Sequence, residues 1–170
     1  MPVIVRVNMT DKKISTFENQ DYRMLGGRAL SARILLDEVV PNCEPLGPKN
    51  KLVIAPGLLS GTPITSGSRT SCGAKSPMTN GIKEANCGGN IGLYLGRFGI
   101  KAVVIEGQPA DGNVHVLKIG KTGASLVTMD DLKLLGTYET DRRLRDKFGQ
   151  DIGVLCIGPA GENGMKMASI

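Results

Sequence analysis

The residues best suited to chemistry lie in a stretch rich in glycine, serine and threonine that runs from Pro56 to Gly89. Glycines allow backbone N–H groups to face a ligand, and hydroxyls can donate hydrogen bonds to anionic oxygens. Arg69 adds a permanent cation that can bind phosphate through two parallel hydrogen bonds. Asn86 and Gly88 come just before a predicted helix, whose N-terminus favours negative charge. The residues alone leave two interpretations open: a phosphate-binding surface, or a turn-rich antiparallel region that binds nothing.

Two further motifs are weaker candidates. The sequence Gly120-Lys121-Thr122 matches the end of a P-loop, but His115 stands where that motif needs its first glycine, and a hairpin turn explains the segment more simply. His115 alternates with valines in a predicted strand, which is typical of a surface or hydrogen-bonded strand residue rather than a catalytic base. No GxGxxG fingerprint of dinucleotide binding occurs in the sequence.

The four cysteines do not form a metal-binding pattern. Cys43, Cys72, Cys87 and Cys156 are widely separated, without a CxxC pair. We expect them to be small buried hydrophobic residues, and we predict neither a metal ligand nor a catalytic residue in this chain.

Charge and hydropathy exclude several classes of protein. The net charge of +5 is dispersed along the chain, which argues against nucleic-acid binding and suits a small polyanionic ligand. No apolar run approaches the ~20 residues of a membrane span, and no signal peptide is recognisable, so we predict a cytoplasmic protein. Glycine accounts for 23 of 170 residues, which indicates many places where something approaches the main chain closely.

Apolar spacing predicts the elements that position these residues. Strands are predicted at residues 3–7, 13–17, 52–55, around 69–75, 102–106, 114–119, 124–127 and 151–157, with another beginning in 165–170. Helices are predicted at 28–39, 91–98, 130–135 (with Asp130 as N-cap) and 139–148, and a loop at 158–161. Gly88, Gly92 and Gly96 would give the second helix a bare face for close packing. The predicted fold class is α+β, with mixed or antiparallel sheets and a few short helices, in one domain over 1–170 that is incomplete at its C-terminal end.

Seven segments occur in one order that resembles the N-terminal domain of the aldehyde ferredoxin oxidoreductases, the tungsten–pterin enzymes. They are 25–30 (LGGRAL), 45–50 (PLGPKN), 58–62 (LLSGT), 66–69 (SGSR), 75–79 (KSPMT), 86–89 (NCGG) and 157–163 (IGPAGEN). The resemblance extends from the first strand to the last residue.

The resemblance implies a β-rich base that carries a bis-pterin (molybdopterin-type) tungsten cofactor with magnesium. On this basis Arg69, Asn86 and Gly88 are expected to bind the cofactor, and Cys87 stands where a serine is common in the family. Family members continue for several hundred residues, which hold a second cofactor loop and the cysteines of a four-iron cluster. The resemblance therefore implies that a partner chain supplies these parts and passes electrons to ferredoxin.

Three functions follow as hypotheses. The first is a cofactor-binding subunit or fragment of a tungsten-dependent enzyme that oxidises aldehydes to carboxylic acids with ferredoxin as acceptor. The second is a non-catalytic scaffold or homo-oligomerisation module that keeps the fold without metal. The third, from the glycine-rich stretch alone, is a general anion- or nucleotide-binding domain.

Overall fold

A six-stranded mixed sheet forms the centre of the computed structural model, which describes residues 3–168. The strands are β1 (Val3–Asn8), β2 (Lys13–Phe17), β3 (Lys51–Pro56), β4 (Thr70–Lys75), β5 (Ile82–Cys87), β6 (Ile100–Glu106), β7 (His115–Gly120) and β8 (Gly123–Thr128). The helices are α1 (Gly27–Glu38), α2 (Asn90–Arg97), α3 (Thr137–Phe148) and α4 (Pro159–Glu162), with 3-10 turns at Gln20–Tyr22 and Asp130–Leu132.

The order of strands in the large sheet is β2-β1-β6-β3-β4-β5. Only the β1–β6 pair is parallel, with Ile4 opposite Ala102, and every other pair in this sheet is antiparallel. Strands β7 and β8 form a separate hairpin. The mixed and antiparallel pairing with few helices confirms the predicted α+β class.

Helix α1 covers one face of the sheet. Leu30 and Ile34, one helical turn apart, are fully buried against alternate residues of the strands, among them Val53 and Val104. The helix ends at Glu38, and Val39 is already extended; Pro41, two residues further on, cannot continue the helical hydrogen bonding. The helix is thus held by an apolar stripe rather than by capping side chains.

Helix α2 and the β7–β8 hairpin cover the opposite face. One side of the hairpin packs toward the sheet through Leu117 and Leu126, and its other side packs against α3 through Val116 and Val127. A half-open cavity of about 920 Å³, lined mainly by apolar side chains, lies between the sheet, α2, the hairpin and α3.

The predicted helices 28–39, 91–98 and 139–148 are confirmed as α1, α2 and α3 with small shifts at their ends. The helix predicted at 130–135 is wrong beyond a single 3-10 turn, and Asp130 does not cap it. Its carboxylate instead accepts a hydrogen bond from the backbone N–H of Val114, 2.8 Å away.

Strand β5 was not predicted, and three predicted features near the C-terminus are wrong. The strand predicted at 151–157 is wrong: residues 152–158 have no regular secondary structure and form no strand pair within residues 3–168. Helix α4 replaces the loop predicted at 158–161. The strand predicted from 165 is a turn through 168, and its last two residues lie outside the described part. Among the described helices, none is long and apolar enough to cross a membrane.

Candidate functional site

The loop between β3 and β4 is pressed onto α2 through glycines. A Cβ at Gly96 would lie 2.2 Å from the carbonyl oxygen of Ser60, and one at Gly92 would lie 2.6 Å from that of Ser68. Real Cβ atoms do not approach so closely, so only glycine permits this contact. The bare face predicted for this helix is confirmed at these two positions, and its partner is the protein's own backbone.

Many of the hydroxyls in the same loop are engaged within the protein. Thr62 donates to the carbonyl of Leu59 at 2.7 Å, and Ser60 donates to that of Gly67 at 3.4 Å. Thr70 is buried in β4. The surface available to a ligand is therefore smaller than the predicted stretch of glycines and hydroxyls.

Arg69 and Asn86 form one unit at the exposed edge of the sheet. The Nε of Arg69 donates to the side-chain Oδ1 of Asn86, and its Nη2 donates to the Asn86 backbone carbonyl at 3.1 Å. Asn86 belongs to the edge strand β5, and Arg69 directly precedes β4. Within residues 3–168 the third guanidinium nitrogen, Nη1, has no hydrogen-bond partner. The guanidinium is thus oriented from one side while part of it stays available.

Gly88 and Gly89 connect this unit to α2 with open main chain. Gly89 has φ of 100°, a conformation that favours glycine, and a Cβ there would meet no atom within 4 Å. A Cβ on Gly88 would be 3.8 Å from Nη1 of Arg69. The N–H groups of both glycines donate no hydrogen bond to the part of the protein that the structure describes. The predicted residues Arg69, Asn86 and Gly88 therefore lie together.

A chain of hydrogen bonds continues from Asn86 to the start of α1. The Nδ2 of Asn86 donates to Oγ of Ser71 (3.1 Å), which donates to Oε1 of Glu84 (2.6 Å). The other Glu84 oxygen accepts from Nε of Arg28 at 2.9 Å. Gly27 approaches the same hydroxyl, because a Cβ on it would lie 3.6 Å from Ser71 Oγ.

Glu84 and Arg28 were not predicted as site residues. The alternation of side chains along a strand could have indicated Glu84, because a residue two positions before Asn86 must point to the same face. The hydrogen bond from Ser71, and after it the one from Arg28, lowers the pKa of Glu84, so this carboxyl is ionised at neutral pH. Its side chain is 9% exposed, against 76% for Arg28.

The other candidates considered in the sequence are possible metal ligands, His115 and the cysteines. Within residues 3–168, no three His, Cys, Asp or Glu side chains are grouped so as to hold a metal ion. The ring of His115 is 4% exposed and lies 3.2 Å from a carboxylate oxygen of Asp111, which confirms a hydrogen-bonded strand residue.

The four cysteines are all free, and they differ in burial. Cys43 is buried as predicted, and Cys72 and Cys156 are half-buried. Burial raises the pKa of the Cys72 thiol to about 11, so this thiol stays protonated at neutral pH. Cys87 is exposed in β5, next to Gly88, so the expectation that all four would be buried is wrong there.

Comparison with known proteins identifies the family of this chain. A family described as "Aldehyde ferredoxin oxidoreductase, N-terminal domain" matches residues 4–170. A "Tungsten-containing aldehyde ferredoxin oxidoreductase" of Pyrococcus abyssi is 35% identical over 98% of this chain and 28% of its own length. The enzyme of the same name from Pyrococcus furiosus is also 35% identical, with the same coverage. The chain thus spans little more than a quarter of these curated relatives.

More distant similarities point the same way. An "Aliphatic sulfonate oxidoreductase, WOR-like subunit" of Pyrococcus furiosus is 28% identical over 98% of this chain and 29% of that subunit. The solved active-site complex BamBC of benzoyl coenzyme A reductase superposes with a TM-score of 0.80 at 29% identity, covering 86% of this chain and 22% of its own. With the family match over nearly the whole sequence, these similarities establish that the chain belongs to the aldehyde ferredoxin oxidoreductase family.

Proposed function

We propose that this chain binds one side of a tungsten–pterin cofactor through Arg69, Asn86 and Gly88, in an oxidoreductase that converts aldehydes to carboxylic acids. The observation that carries the proposal is the Arg69–Asn86 unit beside the N–H groups of Gly88 and Gly89, which have no acceptor within residues 3–168. These groups are hydrogen-bond donors on an exposed surface, which suits a ligand that bears phosphate.

The residues present fit such a group. Gly89 leaves open space where any other residue would place a Cβ, and a Cβ on Gly88 would meet only Nη1 of Arg69, at 3.8 Å. An anion can therefore approach their N–H groups directly. Glu84, the carboxylate linked to Asn86 through Ser71, already accepts hydrogen bonds from Ser71 and Arg28. When bound, the tungsten–pterin cofactor supplies the two-electron redox chemistry of aldehyde oxidation.

The roles of this chain's residues are binding and orientation. Arg69 neutralises negative charge on the ligand, and Asn86 holds the guanidinium by accepting from two of its nitrogens. A carbonyl oxygen has two lone pairs, so the side-chain or the backbone carbonyl oxygen of Asn86 would retain one for a magnesium ion. The backbone of Gly88 donates to a phosphate oxygen.

The proposal assigns the other functions to segments outside the 170 residues. We place the remaining cofactor contacts, the catalytic groups and a four-iron cluster that passes electrons to ferredoxin on a partner chain. Residues 1–170 then form a single N-terminal-type domain of a cytoplasmic enzyme. The low coverage of the tungsten-containing relatives, 28% of their length, supports this division.

Metal and pterin analysis tests the proposal. The chain is purified anaerobically, with any protein that accompanies it, from cells supplied with tungstate. Tungsten is measured by mass spectrometry, and the pterin by fluorescence after oxidation. We expect both in the wild type and a loss on the order of tenfold in Arg69→Ala, since hydrogen bonds to a charged group contribute about 1.5–3 kcal/mol.

Arg33→Ala is the matched control, because Arg33 is an exposed arginine on α1 whose partner is Asp37. It should retain both tungsten and pterin. Wild-type protein free of both would contradict the proposal and favour the scaffold hypothesis, in particular if the chain forms a defined homo-oligomer.

A further inference from the structure

We propose that Arg28 is a second cation of this anion site and that Glu84 is the positioning residue that orients both Arg28 and Asn86 toward the ligand. This inference rests on the proposed function and extends it to residues that the sequence did not indicate. The ligand class is an anion with more than one charged group, such as a diphosphate.

The direction of each hydrogen bond supports a positioning role for Glu84. An ionised carboxylate only accepts hydrogen bonds, so the Ser71 hydroxyl must donate its single proton to Glu84. The Ser71 oxygen is then left as an acceptor, and the NH₂ group of Asn86 turns toward it. This orientation directs the Asn86 Oδ1 toward Arg69. The charge on Glu84 and the donor-only guanidinium of Arg69 thus impose the same direction on the hydrogen-bond chain from its two ends.

The geometry of Arg28 supports its role as a cation for a ligand. Its Nε is bound to Glu84, while both terminal nitrogens lack a partner within residues 3–168. The side chain is 76% exposed. Asn86 and Glu84 are two positions apart on β5, hence on the same face and ~7 Å apart along the strand. The guanidinium groups of Arg69 and Arg28 are bound to these two neighbours.

Electrostatic repulsion alone and a positioning role predict opposite effects on anion binding when the charge of Glu84 is removed. A carboxylate close to an anion site repels the ligand, so Glu84→Gln should tighten anion binding if the charge acted only through space. If Glu84 orients donors, the same substitution should weaken binding. Glutamine carries both a donor and an acceptor, and it cannot accept from Ser71 and Arg28 through two equivalent oxygens.

Calorimetric titration of the whole chain with inorganic pyrophosphate distinguishes the two roles. We expect Glu84→Gln, Ser71→Ala and Arg28→Ala each to weaken binding by on the order of tenfold. Ser71→Ala removes one hydroxyl without changing the charge, so it tests the hydrogen-bond chain even if Glu84→Gln does not fold. Glu44→Gln makes the same charge change at a residue outside the hydrogen-bond chain, and it should leave the affinity for pyrophosphate unchanged.

Nuclear magnetic resonance of the ligand-free protein gives a second readout that a merely stabilising role would not move. One side-chain amide proton of Asn86 should exchange slowly in the wild type and rapidly in Glu84→Gln and Ser71→Ala. Equal or tighter pyrophosphate binding by folded Glu84→Gln, or unchanged exchange at Asn86, would overturn this inference alone. Failure of the wild type to bind pyrophosphate would contradict both this inference and the proposed function.

Discussion

At the scale of single residues, glycine has two distinct uses in this protein. Gly92 and Gly96 allow the loop before β4 to touch the backbone of α2, whereas Gly88 and Gly89 leave main chain open at the candidate site. The composition indicated only that close approaches occur, because a lone glycine does not specify what approaches it. The atoms that surround each glycine in the folded protein distinguish the two uses.

Gly96→Ala tests the first use. Alanine raises helix propensity by up to ~1 kcal/mol, but its Cβ would lie 2.2 Å from the Ser60 carbonyl oxygen. The atoms that this Cβ would meet are backbone atoms and cannot rotate away. We therefore expect a net loss of at least about 2 kcal/mol in the free energy of unfolding, measured in urea.

Gly120→Ala is the control, since a Cβ at Gly120 meets nothing within 4 Å. It should change stability by less than about 0.5 kcal/mol. Equal stability of Gly96→Ala and the wild type would mean that the loop is not held tightly against α2.

At the scale of elements, four charged side chains join the end of α1 to three strands of the sheet. Arg6 of β1 contacts Glu38 at 2.8 Å and Glu106 of β6 at 2.9 Å. Lys51 of β3 contacts the same two carboxylates at 2.6 and 2.7 Å. Burial acts to raise the pKa of Glu38, but hydrogen bonds from Arg6 and Lys51 outweigh it and lower that pKa.

Glu38→Gln should therefore make stability less sensitive to acid. When folding lowers the pKa of a carboxyl, its charge stabilises the protein at pH values above the pKa of the unfolded state. That contribution disappears as the pH falls through the pKa of the folded state. We expect the variant to lose about 2 kcal/mol at pH 7, between the values for surface and buried ion pairs, and less at pH 3.

Urea unfolding of both proteins between pH 3 and 7 measures this difference. Glu44→Gln, which removes an exposed carboxylate, should show the same pH dependence of the free energy of unfolding as the wild type. A constant difference between wild type and Glu38→Gln across the whole range would show that Glu38 contributes by packing and not by its charge.

Sequence patterns predicted the elements that carry an apolar stripe and missed those without one. Helix α1 has Leu30 and Ile34 at helical spacing, and both are buried. Strand β5 reads IKEANC and lies at an exposed edge, so it shows no apolar alternation. Asp130 has the residue type of a helix cap, but its carboxylate accepts a hydrogen bond from the backbone N–H of Val114, which lies just before β7.

The candidate site was predicted in part for a similar reason. Arg69, Asn86 and Gly88 were predicted from the glycine-rich stretch and from the resemblance to the family, and the structure brings them together. The connection of Arg28 to Glu84 spans 56 positions and depends on the packing of α1 beside β5, which no local pattern specifies.

At the scale of the whole molecule, the two sheets differ in how they are attached. Strands β1, β3 and β6 pair on both sides and are largely buried. Strands β7 and β8 pair only with each other and meet the rest of the protein through side chains around the cavity. Local opening should therefore begin in the hairpin.

Hydrogen exchange followed by mass spectrometry should show this order. We expect amides in β1, β3 and β6 to exchange only by global unfolding, and those in β7 and β8 to exchange at least tenfold faster, which corresponds to ~1.4 kcal/mol less protection. Equal protection of both sheets would indicate one cooperative unit.

The parallel pairing of β1 with β6 also has a consequence for biosynthesis. Strand β1 is translated before its partner across the sheet centre, which is about a hundred residues further along the chain. Until β6 leaves the ribosome, the nascent β1–β2 hairpin exposes Ile4, Val5 and Val7, which are all buried in the finished protein. Closing so long a loop is slow, because the chain loses conformational entropy before the stabilising contacts between the two strands can form. The early chain is therefore a natural client for chaperones that bind apolar segments.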